Sequence, residues 1–125
     1  MNDFVRQLVR ERGGHRCEYC QLHQADSPLA ALHIEHIRPR KHGGTDDPAN
    51  LCLACIDCNL RKGTNLTGID PETGSVTELF HPRRARWADH FEWQGLRIVG
   101  TTSVGRTTVR VLDLNGEDRL DLRGS

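Results

Sequence analysis

Two pairs of cysteines, Cys17-x2-Cys20 and Cys55-x2-Cys58, have the spacing with which short turns aim two sulfurs at one point. Four thiolates from two such pairs satisfy tetrahedral zinc and leave no position for water, so the metal they predict is structural. A redox dithiol and plain buried cysteines are the rival readings. The fifth cysteine, Cys52, reads as a small hydrophobe on a strand. Between the pairs lies His33-Ile34-Glu35-His36-Ile37-Arg38-Pro39, with Asn50 and Asn59 downstream. A carboxylate beside a histidine can divide labour: the oxygen ligates a hard divalent ion, and the neutral imidazole accepts a proton from water. Neighbours on a regular strand face opposite ways, so this division needs the strand to end or bend, and Pro39 supplies an end. Spacing alone gives equal room to His36 as a satisfied core histidine and Glu35 as a solvated surface carboxylate.

The elements that must position these residues follow from periodicity. Phe4, Val5, Leu8 and Val9 form a helical apolar stripe over 3–12, with Asn2 or Asp3 to cap it and Gly13-Gly14 to stop it. Residues 21–31 read as a polar connector. Leu32 to Ile37 reads as a strand, 38–48 as a loop carrying Gly43-Gly44 and Asp46-Asp47-Pro48, and Asn50 to Leu53 as the returning strand. A short helix follows Cys58 and stops at Gly63. Further on, 70–74 is a turn, 76–80 a strand and 91–98 a hairpin around Gln94-Gly95, while 101–115 fits either a strand, by its β-branched residues, or the helix that its apolar spacing favours. Trp87, Phe91 and Trp93 are expected to supply this half's core against Leu96, Ile98 and Val109.

At 125 residues the chain suits one compact domain with a small extension and excludes two large ones. Only 36% of residues are hydrophobic and 5% aromatic, so a staple such as the cysteine-bound metal is expected to supplement a thin core. The 17 Lys+Arg balance 17 Asp+Glu, which withholds any whole-chain attraction to a polyanion. Positive charge instead clusters locally, in Arg38, Arg40 and Lys41 and again in Arg61 and Lys62, where it reads either as phosphate contacts or as a solvated run. With no secretory leader and no apolar run of membrane length, the expected location is the cytoplasm.

The stretches Cys-Glu-Tyr-Cys (17–20), Ile-Glu-His-Ile-Arg-Pro (34–39), His-Gly-Gly (42–44), Asp-Pro-Ala-Asn-Leu (47–51) and Cys-Ile-Asp-Cys-Asn-Leu-Arg-Lys-Gly (55–63) together resemble the HNH endonuclease family. The resemblance implies an α+β fold: a small zinc-stapled ββα-metal core over 1–66 with an N-terminal helix, and a small α/β C-terminal extension over 67–125 packed on it. It further implies a metal-dependent endonuclease that hydrolyses DNA phosphodiester bonds. His36 takes the family's general-base position, Glu35 and Asn59 its metal-binding positions, and Asn50 the position that fixes the loop and helps to hold the imidazole. Glu in place of the usual Asp, and Asn in place of the frequent final His, make an HNN arrangement suited to loosely held Mg²⁺ or Mn²⁺. The implied partner is DNA, double-stranded or nicked and branched, with no membrane; the alternative is a non-catalytic zinc-containing nucleic-acid-binding module. Arg83-x2-Arg86-Trp87-x2-His90-Phe91-x-Trp93 followed by Val104-Gly105-Arg106-Thr107-Thr108-Val109 resembles the C-terminal part of small bacterial HNH proteins, a likeness that transfers no residue role; His81, His90 and Arg106 are candidate substrate contacts by residue type alone.

Overall fold

Asn2 sits at the start of the first helix with an extended backbone, and its side chain accepts the Val5 N–H, which fixes α1 at Asp3–Arg12. The expected apolar stripe is only partly covered: Val9 is fully buried, whereas Phe4 and Leu8 remain exposed. Burying one valine is worth only about 1.5–3 kcal/mol. The helix is also held by its basic end, where the Arg12 guanidinium donates to Pro48 O and Leu51 O, and the Arg10 guanidinium donates to Leu32 O.

The computed structural model describes residues 1–27 and 30–125, so two positions of the expected connector over 21–31 lie outside the described residues. The chain divides into two units, residues 1–64 with 81–84, and residues 65–80 with 85–125.

In the first unit β1 (His33–His36) and β2 (Leu51–Ala54) form an antiparallel hairpin, with Glu35 opposite Cys52 and His36 opposite Leu51. All of β2 is buried, which is why Leu-Cys-Leu-Ala lacks the polar alternation of a half-exposed strand. The helix α2 (Ile56–Lys62) begins earlier than expected, because Cys55 is its N-cap and Cys58 lies inside it. Residues 81–84 return to this unit, where the Arg83 guanidinium pairs with the Glu18 carboxylate. That carboxylate also accepts the Leu53 N–H at 2.7 Å, so one acidic side chain ties the 81–84 segment to β2.

The second unit contains β3 (Thr67–Ile69) paired with β4 (Val76–Glu78), the short helix α3 (Trp87–His90), the hairpin of β5 (Phe91–Gln94) and β6 (Arg97–Gly100), and helices α4 (Ser103–Val111) and α5 (Glu117–Arg123). Thr102 caps α4, which resolves 103–111 as helix despite its β-branched residues. Gly105 has a packing reason: a Cβ there would lie 2.0 Å from the His90 carbonyl oxygen. Phe80, Phe91, Ile98, Leu112 and Leu114 make the core. Trp93 and Leu96, expected within it, are about half exposed, and Trp93 instead lies beside Trp87 with the Arg123 guanidinium over its ring. Fully buried Asp70 accepts hydrogen bonds from Arg106, Ser103 and Thr73 side chains, and the Arg106 guanidinium holds its carboxyl well below the usual carboxylate range. Arg106, a candidate substrate contact, is thereby committed to an internal ion pair. Among the described residues no helix is long and apolar enough to cross a membrane.

Candidate active site

The two cysteine turns converge. The ligand sulfurs of Cys17, Cys20, Cys55 and Cys58 all lie within 4.8 Å of one another, and all four residues are buried. Each turn is built alike, with the Cys20 N–H directed at Cys17 Sγ and the Cys58 N–H at Cys55 Sγ, both at 3.4 Å. Cys20 Sγ and Cys55 Sγ are 3.6 Å apart, far beyond a disulfide bond of about 2.05 Å. The edge of a sulfur tetrahedron around zinc is about 3.8 Å, as Zn–S bonds of about 2.3 Å require. Burial pushes the Cys17 and Cys58 thiols up, so thiolates here need a cation beside them. Donor chemistry and geometry therefore fit zinc, and the sulfurs fill its coordination shell. This cluster joins the turn after α1 to the start of α2.

His36 closes β1 and is half-buried, with Nε2 at 2.7 Å from Asp46 Oδ1. The same carboxylate oxygen accepts the Arg40 guanidinium at 2.6 Å. Asp46 reaches this place because the loop from β1 to β2 is tied back on itself. Asn50 accepts the Arg38 N–H and donates to Arg38 O and Thr45 O at 2.9, 3.0 and 2.8 Å. The His-Gly-Gly turn fits that closure: Gly43 is left-handed, with φ of 82°, and a Cβ on Gly44 would sit 1.7 Å from the Arg38 carbonyl oxygen. Asn50 thus fixes the loop on either side of Asp46, and among the described residues its side-chain hydrogen bonds go to the loop backbone.

Asp46 is the residue that sequence reasoning missed, having been absorbed into a turn-forming run. The signal was available in the hairpin: a loop returning to pair with β1 must bring the residues just before its 3₁₀ turn past His36. Of the two carboxylates there, Asp47 caps that turn by accepting the Ala49 N–H, which leaves Asp46 for the histidine.

Glu35 points elsewhere. It is 6% exposed, which overturns the solvated-surface reading, and its neighbours are the Cys52 thiol, 3.3 Å from Oε2, and the Lys62 ammonium, 3.4 Å from Oε1. Burial raises the Glu35 carboxyl above its ordinary value, opposed chiefly by the positive charge of Lys62. Lys62, expected to contact nucleic acid, is itself 2% exposed and donates to Ile37 O at 2.9 Å, so it pins α2 to the strand and is withdrawn from solvent. Asn59 lies one helical turn before Lys62 on α2 and is half-buried. Glu35 Oε1 accepts no hydrogen bond, and with Arg83 Nε it is one of two buried side-chain atoms without a hydrogen-bond partner among the described residues. Of the remaining basic candidates, Arg38, Arg40, Lys41 and Arg61 are exposed. Among the described residues Glu35 and His36 share no hydrogen-bond or ion-pair partner, as expected of neighbours on one strand.

The buried pair has a measurable consequence. Lys62→Met leaves the Glu35 carboxylate in the core without its counter-charge, and is expected to cost about 3–5 kcal/mol in urea unfolding. The double variant Glu35→Gln/Lys62→Met should recover most of that loss, because the charge it would strand is gone. Equal destabilisation by both variants would show that Lys62 acts through packing alone.

Residues 17–65 match the family model described as HNH endonuclease. Over 119 residues the chain is 26% identical to the Septu protein PtuB of Bacillus thuringiensis, an alignment that covers 94% of this chain. It covers 43% of PtuB, so the chain spans less than half the length of that relative. No solved structure matches the chain.

Proposed function

We propose, on the premise that residues 17–65 are an HNH endonuclease domain, that the chain hydrolyses phosphodiester bonds of DNA with His36 as the general base. The observation that carries the reading is the imidazole itself. It is partly exposed at the loop end of the hairpin, anchored through one nitrogen, and followed in the chain by exposed Arg38, Arg40 and Lys41. Those three cations suit the phosphates flanking a scissile bond, and they do so locally in a chain of zero net charge. In the reaction His36 takes a proton from water, the water oxygen bonds to phosphorus, and the bond from phosphorus to the 3′ oxygen breaks. General-base assistance of this kind contributes about 10²–10⁴-fold.

The sulfur cluster has no open position and takes no part in this step. Glu35 Oε1 accepts no hydrogen bond and faces the Lys62 ammonium at 3.4 Å; its carboxylate chemistry fits a hard divalent ion, and Glu35 with Asn59 would hold it. When bound, Mg²⁺ or Mn²⁺ supplies charge neutralisation on the phosphate and on the departing oxygen. The committed pair of Glu35 with Lys62 favours the second reading, a nucleic-acid-binding module without catalysis. Cleavage of supercoiled plasmid by the zinc-containing protein separates the two. Hydrolysis should require added Mg²⁺ or Mn²⁺ and should stop when a chelator strips that ion while zinc stays bound. Cleavage that persists after stripping would remove Glu35 and Asn59 from the account.

A further inference from the structure

We propose that Asp46 is a positioning residue for His36, fixing the tautomer in which Nε2 carries the proton and Nδ1 holds the lone pair that accepts a proton from water. The inference rests on the reading of His36 as general base and adds a residue to which no role had been given.

Three observations carry it. The first is the contact: Asp46 Oδ1 lies 2.7 Å from His36 Nε2, while Nδ1 makes no hydrogen bond among the described residues. A carboxylate can only accept, so this bond requires the proton on Nε2 and leaves Nδ1 as the basic nitrogen. The second is that the carboxylate is kept ionised. The hydrogen bond with His36, and then the charge and hydrogen bond of Arg40, hold the Asp46 carboxyl below its ordinary value. The third is that Asp46 is itself held. Asn50 ties the loop at Arg38 and Thr45, Asp47 caps the turn that follows, and Gly44 permits backbone contact that no other residue would. A side chain supported in this way orients its partner, whereas a mobile surface carboxylate would not.

Arg40 has a second place in this arrangement. With 68% of its side chain exposed it stays able to meet a phosphate while bonded to Asp46, so a cation that could contact substrate also touches the group that orients the base.

The test uses the full chain in four forms: wild type, Asp46→Ala, His36→Ala and the double variant, each checked for zinc content. Plasmid cleavage should fall about 10²–10⁴-fold in kcat for Asp46→Ala with KM little changed, and the double variant should be no slower than His36→Ala alone. A further loss of the same size in the double variant would overturn the proposal, because Asp46 would then act independently of the imidazole. Nitrogen-15 spectra of neutral His36 supply a readout that does not depend on turnover. The Nε2–H form should dominate in wild type, and its preference should be lost in Asp46→Ala. An Nδ1–H form in wild type, or spectra that do not differ between the two, would also overturn it. The two levels separate cleanly. Full activity in His36→Ala, or none in wild type, defeats the general-base reading and the proposal with it. An inactive His36→Ala beside a fully active Asp46→Ala defeats the positioning role alone.

Discussion

Cys58→Ser is expected to leave the first unit largely unfolded under conditions in which the wild type is folded. The reason is arithmetic. Structural zinc sites contribute about 10–16 kcal/mol of apparent binding free energy, whereas whole domains are stable by about 5–15 kcal/mol. Here the cluster joins the turn at Cys17 and Cys20 to the N-terminus of α2, and the core around it is small, with Val9, Tyr19, Leu32, Ile37, Leu51 and Leu53 as its main apolar residues. Losing one thiolate also leaves three sulfurs to share a cation in a buried space. Amide hydrogen exchange across β1, β2 and α2, read beside metal content, checks the expectation. Wild-type protection in zinc-free Cys58→Ser would show that the hydrophobic core suffices. The second unit draws its core from Phe80, Phe91, Ile98, Leu112 and Leu114 and contains none of the ligands, so its protection should persist.

His36→Ala is expected to lower kcat for plasmid cleavage by about 10²–10⁴-fold with little change in KM, the signature of an interaction made in the transition state and not in substrate binding. The fold should tolerate the change. His36 is at the last position of β1, it is only half-buried, and its partner Asp46 would regain water and keep Arg40. Stability and zinc content should therefore match the wild type. A rise in KM with unchanged kcat would instead make the imidazole a phosphate contact and favour the binding-module reading.

What could be read from the sequence divides along a physical line. The metal cluster was legible because a CxxC turn is local: three residues set the aim of two sulfurs, and nothing distant must be known except that a second pair exists. The hairpin of β1 and β2 was legible for a similar reason, as were the cap and stop of α1. Burial was less legible, because it depends on what a side chain meets after folding. The same basic pattern that put Lys62 beside Arg61 on a supposed phosphate-facing surface sends Lys62 inward, since one step along a helix turns a residue by about 100°. Glu35 is buried for the complementary reason: it faces Cys52 across the hairpin and is reached by Lys62. Trp93 and Phe4 are bulky and apolar yet exposed, and only their surroundings decide that. Asp46 lay hidden because its partner is brought to it by loop closure, which two glycines and Asn50 encode together and none encodes alone.

The central claim is that water is activated at His36, and supercoiled plasmid tests it most directly. Wild type and His36→Ala, matched for zinc content and supplied with Mg²⁺ or Mn²⁺, are incubated side by side while conversion to nicked or linear DNA is followed. The account predicts conversion by the wild type and a rate at least about 10²-fold lower for the variant. Equal rates from the two proteins would contradict it.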